Sequence, residues 1–116
     1  MTYGSIIGQT VHIVIDRPLG NVHPKHPDIR YGLNYGYVPG IMGGDGEEQD
    51  VYLMGVDEVV ASCDAVVIAV IHRLDDVEDK WVAAPEGTWF THDEIEVATR
   101  FQERFFRSEI LTMMRG

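Results

Sequence analysis

Ala65-Val66-Val67-Ile68-Ala69-Val70-Ile71 is an unbroken apolar run rich in β-branched residues. At seven residues it is far too short to cross a bilayer, and it reads as a strand buried on both faces. Other short segments share its character. Thr10 to Ile15 is β-branched and ends at Asp16 and Pro18, and Tyr31 to Val38 is aromatic, extended, and closed by Pro39-Gly40. Val51 to Val56 forms a further strand, which Asp57 and Glu58 interrupt before Val59 and Val60 resume. Ser62-Cys63-Asp64 reads as a turn, and Lys80 to Ala84 as a short strand stopped by Pro85. Between these segments, Pro24 and Pro27 exclude helix and central strand from Leu19 to Ile29, and Gly43-Gly44-Asp45-Gly46 is a turn by composition.

At Thr91 the period changes. Thr91 and Glu94 have the spacing of a capping box, with Thr as N-cap and Glu at the third helical position. Ile95, Ala98, Phe101 and Phe105 then recur at helical intervals, and Ile110 and Met113 extend the stripe, which predicts one helix over roughly residues 91–114. Phe101, Phe105 and Phe106 are expected in the core, and Trp81 and Trp89 in the core or a subunit interface. Five to six short strands followed by one C-terminal α-helix predict a mainly β fold, a small β-barrel with a packed helix.

A chain of 116 residues is expected to be one domain, 1–116. Nineteen acidic against nine basic residues give a formal net charge of −10, which disfavours nucleic acid and anionic membranes as partners. A lone cysteine, Cys63, and a Met1–Ser5 start without a signal-peptide pattern make a cytoplasmic location the expectation.

The acidic residues are not spread evenly. Asp45-Gly46-Glu47-Glu48-Gln49-Asp50 and Asp75-Asp76-Val77-Glu78-Asp79 each crowd four carboxylates into five or six residues beside an apolar strand. Either cluster alone is most simply a solvated hairpin tip. Together they suggest a site for hard divalent cations, whose usual guest is a phosphate group. Lys80, beside the second cluster, suits either an ion pair or a phosphate ligand.

Tyr31-Gly32-Leu33-Asn34-Tyr35-Gly36-Tyr37, followed by Asp45-Gly46-Glu47-Glu48-Gln49-Asp50-Val51, resembles the soluble type I inorganic pyrophosphatases. Their pattern runs Tyr-x-x-Asn-Tyr-Gly-Tyr, a loop, then Asp-Gly-Asp-x-x-Asp leading into a strand. The acidic loop and Lys80-Trp81-Val82-Ala83-Ala84-Pro85 match the next motif in the same order, so the likeness covers about residues 10–86. It implies an OB-like barrel with a flanking helix, usually oligomeric, that hydrolyses pyrophosphate to two phosphates with Mg2+, or alternatively Mn2+.

The resemblance assigns Asp45, Asp50, Asp75 and Glu78 to the metals and Glu47 to activation of the attacking water. It assigns Tyr35 and Lys80 to phosphate, and Asp16 matches a carboxylate facing the site. Tyr31 belongs to the same motif and is grouped with Arg30 and Arg107 as substrate-binding. Glu47 stands where the family has Asp, and the chain is shorter than usual members. For the arginine upstream of the Tyr motif, Arg30, Arg17 and Lys25 are all candidates. The family's C-terminal Tyr-Lys pair is matched at best by Phe106-Arg107. His23 and His26 are expected near the mouth of the site rather than in a zinc centre, since no cysteine or third close ligand accompanies them. The expected function is magnesium-dependent pyrophosphate hydrolysis by a homo-oligomer. The alternatives are hydrolysis of another small phosphorylated compound, or a non-catalytic phosphate- or metal-binding module.

Overall fold

A computed structural model describes residues 6–112. Its elements are β1 (Thr10–Arg17), β2 (Asn34–Met42), β3 (Glu48–Leu53), β4 (Ser62–Arg73), β5 (Asp79–Ala84), α1 (His92–Glu103) and β6 (Ser108–Thr112). The sheet order is β1-β2-β3-β5-β4-β6, and an extra β1–β4 pairing closes the first five strands into a barrel. β3 and β5 run parallel while the other pairs are antiparallel. The mainly β barrel with a helix near its C-terminal end is the expected fold class. Among the described residues, no helix is long and apolar enough to cross a membrane.

β4 explains how the barrel closes and why it carries a sixth strand. Its first residues, Ser62–Val66, pair with β1, and Ala69–Arg73 pair with β6 along the same edge. The other edge is taken by β5. The run Ala65 to Ile71 is buried almost throughout, with Val67 and Ala69 to Ile71 each 0% exposed.

Alternation along each strand separates two apolar layers. Val51 and Leu53 of β3 join Ile13, Val38, Ala65 and Ala83 in one cluster. Tyr52 faces the other way, with Tyr35, Ile71, Val82 and Ile95 of α1. Ile95 is completely buried, worth about 2 kcal/mol of apolar transfer for a side chain of that size. The Thr91–Glu94 capping box is formed in both directions.

Two residues of the Asn34-Tyr35-Gly36-Tyr37 motif have structural duties. Asn34 is fully buried, accepts from Leu19 N–H, and donates to the carbonyls of Val56 and Glu58. A Cβ on Gly36 would lie 1.9 Å from the Val14 carbonyl oxygen, so only glycine lets β2 approach β1 this closely.

Four local expectations are corrected. The helix ends at Glu103 rather than near 114, and Ile110 belongs to β6. Pairing there satisfies the backbone groups of the β4 edge beyond Ala69, which a helix extension, bonded only within itself, would leave open. Met113 and Met1–Ser5 lie outside the described residues. Ser62-Cys63-Asp64 opens β4 instead of turning, because its backbone pairs with Ile13 and its neighbours. Val59 and Val60 are loop, with Val59 64% exposed. Phe105 is exposed rather than in the core, whereas Phe101 does pack against the core and Phe106 is half-buried. Trp89 lies outside the core, which leaves the interface half of its expectation open.

Candidate active site

The outer faces of β2, β3 and β5 form the floor of a cleft of about 510 Å³, walled by the end of β1, the 23–31 loop and the C-terminal end of α1. β2–β3 register sets Tyr35 opposite Tyr52 and Tyr37 opposite Asp50. The parallel register pairs Val51 with Trp81, which brings Asp50 level with Lys80.

Lys80 is the centre of this floor. Its Nζ donates to the Tyr35 hydroxyl at 2.8 Å and lies 2.5 Å from Asp50 Oδ2. Glu78 pairs with the same ammonium. With Lys80 only 4% exposed, burial pulls its pKa below the ordinary lysine value, and the neighbouring Asp50 carboxylate only partly offsets this. Burial, then the Asp50 charge, pushes the Tyr35 hydroxyl well above the usual phenol range, so it stays protonated. Asp16 also faces the cleft, and its pKa is raised by partial burial with a further push from Asp50, against the pull of Arg17.

A second polar network runs behind the wall. Arg73 donates to Glu103 through Nε at 3.0 Å and NH2 at 2.7 Å, with its guanidinium 3.6 Å from the Phe106 ring centroid. Tyr52 donates to Glu103 at 2.7 Å and accepts from Gln102 Nε2 at 2.7 Å. The Tyr31 hydroxyl donates to Gln102 Oε1 at 2.9 Å and accepts from Arg17 at 3.1 Å. Tyr31, Tyr35, Tyr52 and Phe101 pack their rings in a closed cluster, with successive centroids 5.3, 4.9 and 6.1 Å apart and Phe101 returning to Tyr31 at 5.2 Å.

Of the residues singled out from sequence, Asp16, Tyr31, Tyr35, Asp50 and Lys80 line the cleft together. Glu78 reaches the Lys80 ammonium and lies 3.7 Å from Arg73. Asp45 and Glu47 sit exposed at the β2–β3 hairpin tip, where Asp45 accepts the Glu47 backbone N–H at 3.0 Å. Asp75 is exposed and accepts the Arg107 backbone N–H at 3.2 Å. Arg30, also exposed, donates to the Gly20 carbonyl. Asp45, Glu47, Asp75, Arg30 and Arg107 are therefore outside the cleft wall. The two acidic loops nevertheless touch, since a Cβ on Gly44 would lie 2.1 Å from the Val77 carbonyl oxygen.

His23 and His26 do line the cleft mouth, their ring centroids 4.9 Å apart. Three further polar residues of the site, Arg73, Gln102 and Glu103, had no motif to flag them. The only signal was a charge at the end of an otherwise apolar strand and a polar pair on the last helical turn.

Among the described residues, no three His, Cys, Asp or Glu side chains converge as a metal cage. The cleft does offer the Asp16 and Asp50 carboxylates. Magnesium binds through one or two carboxylates plus waters and substrate phosphate oxygens, so this pair fits an ion that arrives with its substrate.

No protein-family model and no curated protein matches the chain. Solved structures do. An inorganic pyrophosphatase from Ehrlichia chaffeensis superposes with a TM-score of 0.67 at 16% identity, covering 89% of this chain and 85% of that one. One from Coxiella burnetii gives 0.62 at 15% identity, over 91% of this chain and 86% of that one. One from Neisseria gonorrhoeae gives 0.60 at 21% identity, over 87% and 76%. At these identities the shared property is the fold, and the chain has the fold of these inorganic pyrophosphatases.

Proposed function

We propose that this chain hydrolyses a small phosphoanhydride, pyrophosphate first among them, in the cleft between the barrel and α1. The observation that carries the reading is the buried Lys80, held between Tyr35 and Asp50 on the cleft floor of a pyrophosphatase-like fold. Lys80 and the Tyr35 hydroxyl are donors fixed in a site largely screened from water, where charge developing on a leaving phosphate is stabilised most strongly. Asp16 and Asp50 would hold a divalent ion, magnesium or manganese, that neutralises phosphate oxygens and acidifies a bound water. Asp50 would also orient the attacking water, and Lys80 and Tyr35 would face the leaving group.

Glu47, paired by the resemblance with water activation, requires the hairpin tip to close over Asp50 when substrate binds. Asp45 and Asp75 would approach with it toward Glu78, which already reaches Lys80, because the two loops pack backbone to backbone at Gly44 and Val77. A cytoplasmic homo-oligomer remains part of this proposal.

One observation favours another reading. Asp50 and Glu78 are already engaged by Lys80, which suits a phosphate-binding module without turnover. Phosphate release from pyrophosphate, tripolyphosphate and p-nitrophenyl phosphate, each with magnesium, manganese or EDTA, separates them. Metal-dependent release from pyrophosphate, with or without release from tripolyphosphate, supports the proposal. Release only from the p-nitrophenyl ester, or none, overturns it.

A further inference from the structure

Asp50 and Lys80 meet one residue short of the ladder between their strands. The parallel β3–β5 pairing begins at Val51 and Trp81. Asp50 is tied to β2 through Tyr37, and Lys80 to β4 through Ile71. Between β3 and β5 at that level, no backbone pair is formed among the described residues. The two strands that bring the ion pair together are thus unbonded to each other where the pair sits.

The Gln49 side chain spans this gap. It is 6% exposed, and its Nε2 donates to the Asp79 carbonyl at 2.8 Å and to the Asp50 carbonyl at 3.0 Å. Both partners are acceptors, so only the NH2 end of the amide can face them, and its two protons are both used. The Asp79 carbonyl belongs to the same peptide unit as the Lys80 nitrogen. Gln49 therefore grips the backbone of both members of the pair. From the far side, His72 Nδ1 of β4 lies 2.8 Å from Asp79 Oδ1, so the start of β5 is held from two directions.

The position of this residue has a consequence for the hairpin as well. On the β2 side, Gln49 is the last residue in regular register, since the pairing shifts between Val38 opposite Gln49 and Met42 opposite Glu48. The tip bearing Asp45 and Glu47 lies beyond that irregularity. Closure of the tip would then pivot ahead of Gln49 and leave Asp50 in place. The Asp-Gly-Asp-x-x-Asp pattern leaves the position of Gln49 unspecified, and no sequence signal singled it out.

We propose that Gln49 is a positioning residue of the cleft, its amide replacing the missing ladder step and setting the separation of Asp50 from Lys80. Its bearing on function rests on the reading of that pair as part of a phosphate site.

The test is a double-mutant cycle between Asp50→Asn and Lys80→Gln, measured by urea denaturation of the full chain and repeated with Gln49→Met. Methionine keeps the length of the side chain and loses both donors. The coupling between the two substitutions is expected to fall to about half or less when Gln49→Met is present. Ile13→Val, a change in the other apolar layer that also lowers stability, should leave it as in the parent. Calorimetric binding of methylenediphosphonate, a non-hydrolysable pyrophosphate analogue, with magnesium gives the second readout. Gln49→Met is expected to weaken it about fivefold, and to add nothing in the Lys80→Gln background, whereas Ile13→Val should bind as the parent does. Far-UV circular dichroism checks each fold. Gln49→Asn, which keeps the amide but is one methylene shorter, carries the same comparison where Gln49→Met unfolds.

No coupling in the parent, full coupling in Gln49→Met, or equal loss of analogue binding in Gln49→Met and Ile13→Val overturns the proposal. Coupling that depends on Gln49 in a protein that binds no analogue would sink the phosphate reading and leave Gln49 as the residue that sets the pair. Metal-dependent hydrolysis of pyrophosphate with unchanged coupling in Gln49→Met would do the reverse.

Discussion

Lys80 Nζ stands 2.5 Å from Asp50 Oδ2, an ion pair created by two strands that run parallel in an otherwise antiparallel barrel. The residues are thirty positions apart in sequence, yet the β3–β5 register sets them side by side. The side chains are 5% and 31% exposed, so the cation is buried while its partner still reaches the cleft.

Replacing Lys80 with Gln should lower phosphate release from pyrophosphate by about 100-fold, the usual cost of losing a fixed donor to developing charge. It should also destabilise the fold by on the order of 2 kcal/mol, because Asp50 and Glu78 lose their shared cation. Steady-state kinetics and urea denaturation read the two effects separately. An active, stable Lys80→Gln protein would remove Lys80 from the site chemistry.

Glu103 should matter to stability more than any surface acid. It holds Arg73 by two N–H donors and accepts from Tyr52, and the ion-paired side chains are 5% and 7% exposed. Glu103→Gln is expected to cost about 2 kcal/mol, since it removes the buried charge that holds Arg73 from two sides and leaves only the more exposed Asp76 and Glu78 facing it. Glu96→Gln, which breaks the exposed pair with Arg100, should cost under about 0.5 kcal/mol. Urea midpoints at unchanged slope give the comparison, and equal shifts would contradict it.

Tyr35 and Tyr52 should set an alkaline limit. Burial first, then the Asp50 charge at Tyr35 and the Glu103 charge at Tyr52, raises both hydroxyls well above the free value of about 10. A folded pKa above the unfolded one contributes stability that is fully present below about pH 10 and is lost as pH rises through the folded value. Both hydroxyls should therefore ionise only as the chain unfolds. Phenolate absorbance compared with far-UV circular dichroism checks this. Complete ionisation of all five tyrosines in a still-folded protein would contradict it.

Local chemistry made much of this fold legible before any coordinates. The Thr91–Glu94 cap and the Gly43–Gly46 turn depend on side chains within a few residues, and both form. Asn34-Tyr35-Gly36 also announced itself, and the close approach of β1 is why Gly36 cannot carry a side chain. The end of α1 was misread because Ile110 fits a helical stripe as well as a strand. The deciding factor was the free edge of β4, a partner nearly forty residues earlier. Ser62–Asp64 was misread for the same reason, its strand pairing lying in β1. At the site, motif residues were visible but their convergence was not. Asp45 and Glu47 share a motif with Asp50, yet the turn leaves them at the exposed tip while the strand carries Asp50 into the cleft. Arg73 and Gln102 belong to no motif, and only the closure of barrel and helix puts them together.

The most direct measurement is phosphate release from pyrophosphate by the parent chain and by Asp50→Asn, each with magnesium and with EDTA. Asp50 is partly exposed and Glu78 still pairs with Lys80 without it, so the substituted chain should remain folded. The expected result is release that needs the metal and falls at least 100-fold in the variant at unchanged circular dichroism. Equal release by both proteins, or none from the folded parent with any divalent metal, would contradict the hydrolytic role proposed for this cleft.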